Sequence, residues 1–516
     1  MPAGCVYLIG AGPGDPGLLT LRARDVLALA DAVIYDNLVH PDVLGWAPAR
    51  AERVLMGKVG HHHCCPQAEI TEALIARARS GLIVARVKGG DPSIFGRLGE
   101  EALALAEEGI PFEIVPGVTA ALGASAYAGI PLTHRDWAPC VTLVTGHRRT
   151  DGGHEPEIDW GALARTGGTL AIYMGVRHLD EVADSLIRAG RSASTPVALV
   201  RRATWPDQEV LTGTLGDIAN RAEASGFQPP AVAIVGEVVA LREKLSWFER
   251  RPLRGKRILV TRAAHQAGDL SRLLRSRWAE PLELPLIELR PCGHKSAVES
   301  ALRKLFAYDW VIFSSANAVE FTFRRIGEMG LDARVFGAAR VCAVGPRTAE
   351  ALAGRGIRAD VVPKEYVAES LVEALSAVER LQGTSVLIPR AREAREVIPE
   401  ELGRRGARVE VLELYENVRP ETYPPQALEA LREGRLDMVT LASSSAAKGF
   451  EALCREQGIS PGRLPCAVIG PATRQTAESL GLRVAVVPEE YTVERMVEAM
   501  EKYFERERSK RESAKG

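Results

Sequence analysis

At 516 residues the chain is too long for one hydrophobic core, so several domains are expected. A formal net charge of -1 argues against nucleic acid or an anionic membrane surface as partner, and no apolar run is long enough to span a bilayer. Eight cysteines without a CxxC pair, and a first strand with no signal-peptide pattern before it, predict a reduced, cytoplasmic protein without a disulfide framework.

The apolar run Cys5 to Ile9 reads as a buried parallel strand. Four glycines and two prolines follow between positions 10 and 17, and Leu18, Leu21, Val26 and Leu29 then carry helical spacing. Strand, glycine-rich turn and helix let bare backbone approach a nucleotide-like ligand. The glycines do not fit a dinucleotide fingerprint, because Asp15 stands where the third glycine would be, and no phosphate-loop lysine follows. On the glycines alone a tight surface turn and a nucleotide site weigh evenly. Further strands are predicted at Ala32–Asp36, Val54–Lys58, Ile83–Val87 and Phe112–Val115. Asp36, Lys58, the turn from Gly89 to Asp91, and Thr119 all fall at the carboxyl ends of these strands, where open α/β sheets bind ligands. The run from His61 to Cys65 offers five metal-ligand types in a row. Adjacent side chains point apart, however, and no second cluster completes a zinc shell, so no metal is expected.

The ordered set Gly10-Ala-Gly-Pro-Gly-Asp-Pro-Gly-Leu-Leu-Thr20, Tyr35-Asp-Asn-Leu-Val39, Val87-Lys-Gly-Gly-Asp-Pro92 and Pro116-Gly-Val-Thr-Ala120 resembles the tetrapyrrole methylase family, most of all its uroporphyrinogen-III C-methyltransferases. The resemblance runs to about residue 245 through Val144-Thr-Gly-His147, Ile172-Tyr-Met-Gly175 and Pro229-Pro-Ala-Val-Ala-Ile-Val-Gly236. It implies two α/β lobes, at about residues 1–135 and 136–245, holding S-adenosylmethionine, usually in a homodimer. By matching motif it implies cofactor contacts at Pro13, Gly89, Gly90, Asp91, Ile94, Thr119, Ala120, Met174 and Ala203. It also makes Asp36 a proton acceptor and Lys58 a proton donor, whose bland readings are a helix cap and a solvated loop lysine.

Residues 246–256 are charged, contain Arg251-Pro252 and Gly255, and read as a linker. An internal repeat follows. Gly345-Pro-Arg-Thr348 recurs at Gly470-Pro-Ala-Thr473, and Tyr366 at Tyr491, each pair 125 apart. Val311 and Val439, and Ile258 and Val386, begin further matching pairs that are 128 apart. Two similar α/β lobes with a cleft between them are therefore expected. Ser314, Ser315, Ser443 to Ser445, Thr348 and Thr473 lie at predicted helix starts, which favour carboxylates, and Arg262, Arg347 and Arg390 add cationic forks. Serine and threonine cap most helices, so the capping residues alone do not mark a site.

Leu259-Val-Thr-Arg262, Phe313-Ser-Ser-Ala-Asn317, Ile388-Pro-Arg390, Glu413-Leu-Tyr415, Ala442-Ser-Ser444 and Ile469-Gly-Pro471 resemble the uroporphyrinogen-III synthase family over about residues 257–505. That family implies a discontinuous first lobe (257–288 with 418–505) and a second lobe (292–412) joined by two strands. It implies that Tyr415 assists departure of the hydroxyl group of hydroxymethylbilane, and that Arg262, Ser315, Arg390, Ser444 and Thr473 contact substrate. Ala472 stands where the family often has a second threonine. Residues 506–516 read as a solvated, charged tail. The fold class is thus α/β throughout, a two-lobe methylase fold followed by a two-lobe synthase fold. The implied function is closure of hydroxymethylbilane to uroporphyrinogen III and its double methylation at C2 and C7 to precorrin-2, toward sirohaem or cobalamin.

Overall fold

Each of the five stretches read as strands in the first 120 residues overlaps a strand. The computed structural model of the chain describes residues 4–57, 65–146, 158–262, 264–363, 368–378, 380–394 and 396–514. Lys58, His61 to Cys64 and Tyr366 lie outside these residues. The chain divides into two units, Met1–Lys256 with Arg277–Glu280, and Arg257–Ser276 with Pro281–Gly516.

In the first unit, β1 (Cys5–Gly10), β2 (Ala32–Tyr35), β3 (Glu52–Leu55), β4 (Ile83–Lys88) and β5 (Phe112–Val115) form an all-parallel sheet in the order β3-β2-β4-β1-β5. Its two faces carry separate apolar cores. Val6, Leu8, Ile34 and Val84 face the helices Gln67–Arg79 and Leu98–Glu107, while Ile9, Val33, Ala85 and Val87 face the helix Leu21–Leu27. That last helix begins later than its leucine spacing suggested. Asp15 and Pro16 close a separate 3-10 turn at Pro16–Leu18, and the Thr20 hydroxyl caps the helix by accepting from the Ala23 amide at 3.2 Å. Ala23, Val26 and Leu27 become its buried face, and Leu21 and Leu29 are left in solvent.

A second sheet, β6 (Val141–Thr145), β7 (Thr169–Tyr173), β8 (Pro196–Arg201), β9 (Glu209–Thr214) and β10 (Ala231–Val235), has the order β6-β7-β10-β8-β9. Only β6 and β7 are parallel. The helix Ala120–Ala128, which leaves β5, packs Ala121, Ala124 and Ala128 on Ala171, Ala198 and Val232 of this sheet. Small side chains on the helix let the two lobes approach closely. The expected linker is not loose chain. Phe248 and Leu253 are fully buried, and the Trp247 indole N–H donates to the Ala126 carbonyl at 2.8 Å.

The second unit starts with β11 (Arg257–Val260) and β12 (Glu280–Glu283). The chain then leaves to build β13 (Glu288–Pro291), β14 (Trp310–Phe313), β15 (Arg340–Ala343), β16 (Ser385–Ala391) and β17 (Arg408–Val418). It returns for β18 (Met438–Leu441), β19 (Pro465–Val468) and β20 (Arg483–Val486). The sheets are β12-β11-β18-β19-β20 and β13-β17-β16-β14-β15. β13 and β17 are antiparallel and carry the chain between the two lobes. The sequence repeat is a repeat of structure: β14, helix Ala316–Glu328, β15 and helix Pro346–Ala353 reappear as β18, helix Ser444–Glu456, β19 and helix Pro471–Ser479. The last helix, Val493–Ser513, runs through most of the stretch read as a tail. Its first turns bury Val493, Met496, Val497 and Met500, and ion pairs such as Lys510–Glu507 at 2.8 Å support the exposed end.

Candidate active sites

In the first unit, three backbones converge where β1, β4 and β5 end. A Cβ on Gly10 would lie 2.6 Å from the Gly117 nitrogen, and one on Gly117 would lie 2.4 Å from the Gly90 oxygen. Gly12 and Gly90 exchange two hydrogen bonds, the Gly12 N–H donating at 3.1 Å and the Gly90 N–H at 2.8 Å. Both glycines have φ in the left-handed region, +78° and +72°. The glycine-rich turn is thereby stitched to the Gly89-Gly90-Asp91 turn. Asp91 ties in the third loop, accepting from the Gly117 N–H at 2.9 Å and the Ser93 N–H at 2.7 Å.

The second sheet contributes Tyr173, at the end of β7. Its hydroxyl shares a 2.7 Å hydrogen bond with Thr119 and accepts from the Ala121 N–H at 2.9 Å. The Thr119 side chain therefore does not cap its own helix. Burial pushes the Tyr173 phenol above its ordinary value. Phe95 packs on the Tyr173 ring at 4.9 Å between centroids. Phe95, Met174, Arg202 and Thr204 all hold positive φ without being glycine, a strained backbone of the kind found at ligand sites. Phe95 and Met174 are 41% and 49% exposed, so two large apolar side chains stand open in this region. Pro13 touches the same region from the glycine turn: a Cβ on Gly123 would meet its ring at 2.6 Å and the Thr204 methyl at 3.2 Å. Gly89, Gly90, Asp91, Ile94, Thr119 and Ala120 of the first lobe thus share a neighbourhood with Met174 and Ala203 of the second. Bare backbone and apolar side chains there fit an adenosine-bearing thioether or sulfonium.

Asp36 lies just beyond β2. Its carboxylate accepts from the Leu38 N–H at 3.0 Å and caps no helix, a task that falls to His40 at Pro41–Leu44. Burial pushes its carboxyl above the usual range, and Arg86, the Leu38 and Gly89 amides and Lys88 oppose that shift. Its expected partner Lys58 is outside the described residues. Sequence reasoning missed a charged cluster behind Asp36. Lys88 and Arg86 are buried and pair with the wholly buried Glu101 at 2.7 and 3.2 Å, and the Gln67 amide donates to Glu101 at 2.9 Å. The signal was legible: two cations at alternate positions in a strand of a parallel sheet, where apolar residues are the rule.

In the second unit, Tyr415 is buried near the end of β17. Its hydroxyl lies 3.1 Å from that of Ser315, and its ring stacks on Phe321 at 4.7 Å. Burial raises its phenol, which the Ser315 and Asn317 hydrogen bonds partly offset. Ser315 also caps helix Ala316–Glu328, accepting from the Ala318 N–H at 3.1 Å. Beside this pair, a groove of about 630 Å³ is lined by Phe321, Glu320, Arg324 and Tyr423. Arg262, at the end of β11, is pulled below its ordinary value by burial and by the nearby Arg347 guanidinium. One arginine from each lobe therefore stands in the other's field. Arg390 is buried and paired with Glu396. Ser443, not Ser444, caps helix Ser444–Glu456. The Ser444 hydroxyl donates to the Ala472 carbonyl at 3.3 Å and accepts from Thr476 at 2.9 Å. Thr473 is buried in the first turn of its helix. Among the described residues no group of three or more metal-ligand side chains gathers, and the His61–Cys64 run is outside them.

Two family models match the chain: tetrapyrrole (corrin/porphyrin) methylases over residues 5–219 and uroporphyrinogen-III synthase HemD over residues 268–498. The porphyrin biosynthesis protein HemD of Ruminiclostridium josui is 36% identical over 501 residues, covering 97% of this chain and 98% of that protein. The uroporphyrinogen-III C-methyltransferase of Bacillus subtilis (strain 168) is 37% identical over 384 residues, covering 74% and 78%. A solved uroporphyrin-III C-methyl transferase from Thermus thermophilus, complexed with S-adenyl homocysteine, is 42% identical over 46% of this chain and 93% of its own, with a TM-score of 0.40.

Proposed function

Because the chain belongs to the tetrapyrrole methylases over its N-terminal part and to the uroporphyrinogen-III synthases over its C-terminal part, we propose that it is a bifunctional enzyme of tetrapyrrole biosynthesis. The second unit closes hydroxymethylbilane to uroporphyrinogen III, and the first transfers two methyl groups to C2 and C7 of that product, giving precorrin-2. One observation carries this reading: both family matches lie in a single chain that aligns with the Ruminiclostridium josui protein over 97% of its length.

S-adenosylmethionine supplies an electrophilic methyl group when bound. Pro13, Gly89, Gly90, Asp91, Ile94, Thr119, Ala120, Met174 and Ala203 hold it. Their work is positioning, because the pyrrole carbon is already electron-rich and needs no covalent protein nucleophile. Asp36 accepts the proton that the macrocycle releases elsewhere once the methylated carbon has become quaternary, and Lys58 donates one to the ring system. In the second unit Tyr415 assists the leaving hydroxyl group. Its burial keeps the phenol protonated at neutral pH, and Ser315 orients it. Arg262, Ser315, Arg390, Ser444 and Thr473 bind carboxylates of the linear substrate. The protein is a cytoplasmic homodimer joined through its first unit. Among the described residues no helix is long and apolar enough to cross a membrane.

The test is anaerobic incubation with hydroxymethylbilane and S-adenosylmethionine, with products identified by mass and isomer analysis. A dimethylated type-III product is expected. A type-III macrocycle without methyl groups would remove the methyltransferase assignment, and the type-I isomer alone would remove the synthase assignment.

A further inference from the structure

Strand β4 reads Ile83-Val-Ala-Arg-Val-Lys88, and its alternation sorts these residues by face. Ala85 and Val87 join one apolar core, while Val84 joins the other, together with Ile34 of β2. Arg86 and Lys88 continue the Val84 face toward the strand end. Ile34 pairs with Arg86 and Tyr35 with Val87 in parallel register, so Asp36 comes level with Lys88 on the same face. Two cations and a carboxylate thus finish a sheet face that is otherwise apolar and covered by helices.

Helix Leu98–Glu107 seals that end with Glu101, which is 0% exposed. Its Oε2 lies 2.7 Å from Lys88 Nζ and its Oε1 3.2 Å from Arg86 Nε. Gln67 of the neighbouring helix completes its shell at 2.9 Å and brings no charge. Arg86 Nη1 is buried with no hydrogen-bond partner. A buried charge group on this scale is costly to assemble, and replacing it with apolar residues would generally be no less stable. Its position beside Asp36 gives it another use. We propose that Glu101 is a positioning residue for methyl transfer, which pins Lys88 and Arg86 to the sheet face that ends in Asp36 and through them sets the charge of that carboxylate.

The proposal rests on Asp36 being the proton acceptor. The charges that act most strongly on Asp36 are Arg86 and then Lys88, with the Leu38 and Gly89 amides as neutral partners, and all favour the carboxylate against burial. Lys88 in turn is drawn down by burial and held up first by Glu101. Removing a cation raises the pH at which Asp36 ionises. Removing the Glu101 charge takes the competing carboxylate out of the cluster and leaves Asp36 as the anion facing Arg86 and Lys88, which lowers it.

The experiment follows transfer of labelled methyl from S-adenosylmethionine to supplied uroporphyrinogen III by the full chain, from the lowest pH at which the chain stays folded up to about pH 9. The acid limb is expected to move up by roughly one unit in Lys88→Met and down by a comparable amount in Glu101→Gln. KM for S-adenosylmethionine should change less than about twofold, since neither side chain is assigned to the cofactor. If both variants melt cooperatively and keep the wild-type limb, Glu101 is only a structural ion pair and the proposal is overturned. If Glu101→Gln does not fold, Lys88→Met decides, because Glu101 then keeps Arg86 and Gln67. Asp36→Asn runs beside them: wild-type rate and limb in that variant would sink the Asp36 reading itself, whereas loss of activity in it with unmoved limbs elsewhere would sink only the role of Glu101.

Discussion

A single carboxyl and a single phenol carry most of the chemistry assigned to this chain. Asp36→Asn should lower methyl transfer by about 10²–10⁴-fold, the usual range for a lost proton-transfer group, and leave ring closure at the wild-type rate. Product mass with hydroxymethylbilane and S-adenosylmethionine reads both steps at once. Tyr415→Phe should do the converse, slowing formation of the type-III isomer while methylation of added uroporphyrinogen III persists. Burial raises the Tyr415 phenol, so its proton stays through the ordinary tyrosine range, and synthase activity should hold level from pH 7 to about 9.5. Neither residue is singled out for its proposed role by its own neighbourhood in the sequence. An acid at a strand end and an aromatic in a strand are ordinary features, and only the family resemblance singled them out. Glu101 was illegible for a different reason: it looks like any glutamate in the first turn of a helix, and its burial depends on what the sheet places beneath it.

At the scale of elements, the glycine turns are where local sequence dictated most. Gly10 and Gly117 leave no room for a methyl group where three backbones meet, and Gly90 supplies the left-handed turn beside them. Gly117→Ala places a Cβ 2.4 Å from the Gly90 oxygen, so the loops must part. The expected result is a loss of S-adenosylmethionine affinity of tenfold or more with ring closure intact, measured by calorimetric titration and isomer analysis. Strands were legible because apolar runs bounded by turn residues have few other uses. The antiparallel order of β7, β10, β8 and β9 was not, since pairing partners are chosen by packing rather than by any one segment. The stretch at 246–256 read as a linker from its charges, yet Phe248 and Leu253 anchor it in the core. The last helix read as frayed because its final turns are charged, and those same charges pair along its surface.

Across the whole molecule, charge and burial make a prediction for alkaline solution. Cys342 and Cys466 are buried and their thiols are pushed up to about 12, and Cys454 to about 11, in each case chiefly by desolvation. Between the ordinary thiol value and these raised ones, the unfolded chain holds fewer protons than the folded one, so stability falls as pH rises. The urea midpoint should therefore decline above about pH 9, and these three thiols should resist alkylation at pH 8 until the chain unfolds, whereas exposed Cys140 reacts at once. The interleaving of the two lobes of the second unit has a consequence in time. β11 pairs with β18, Ile258 opposite Met438, so the first lobe closes its sheet across the entire second lobe. A ribosome makes the β11 segment early and its partner much later, and a long loop must be closed before that contact is rewarded. The inserted lobe, complete in itself from β13 to β17, is the part able to fold while synthesis continues. The outer lobe waits, with β11 paired to β12 on one side and open on the other, until β18 emerges. A chain halted before Met438 should thus yield a protease-resistant inner lobe and a cleavable β11 segment, which makes the interval before release the time at which this protein is most open to aggregation.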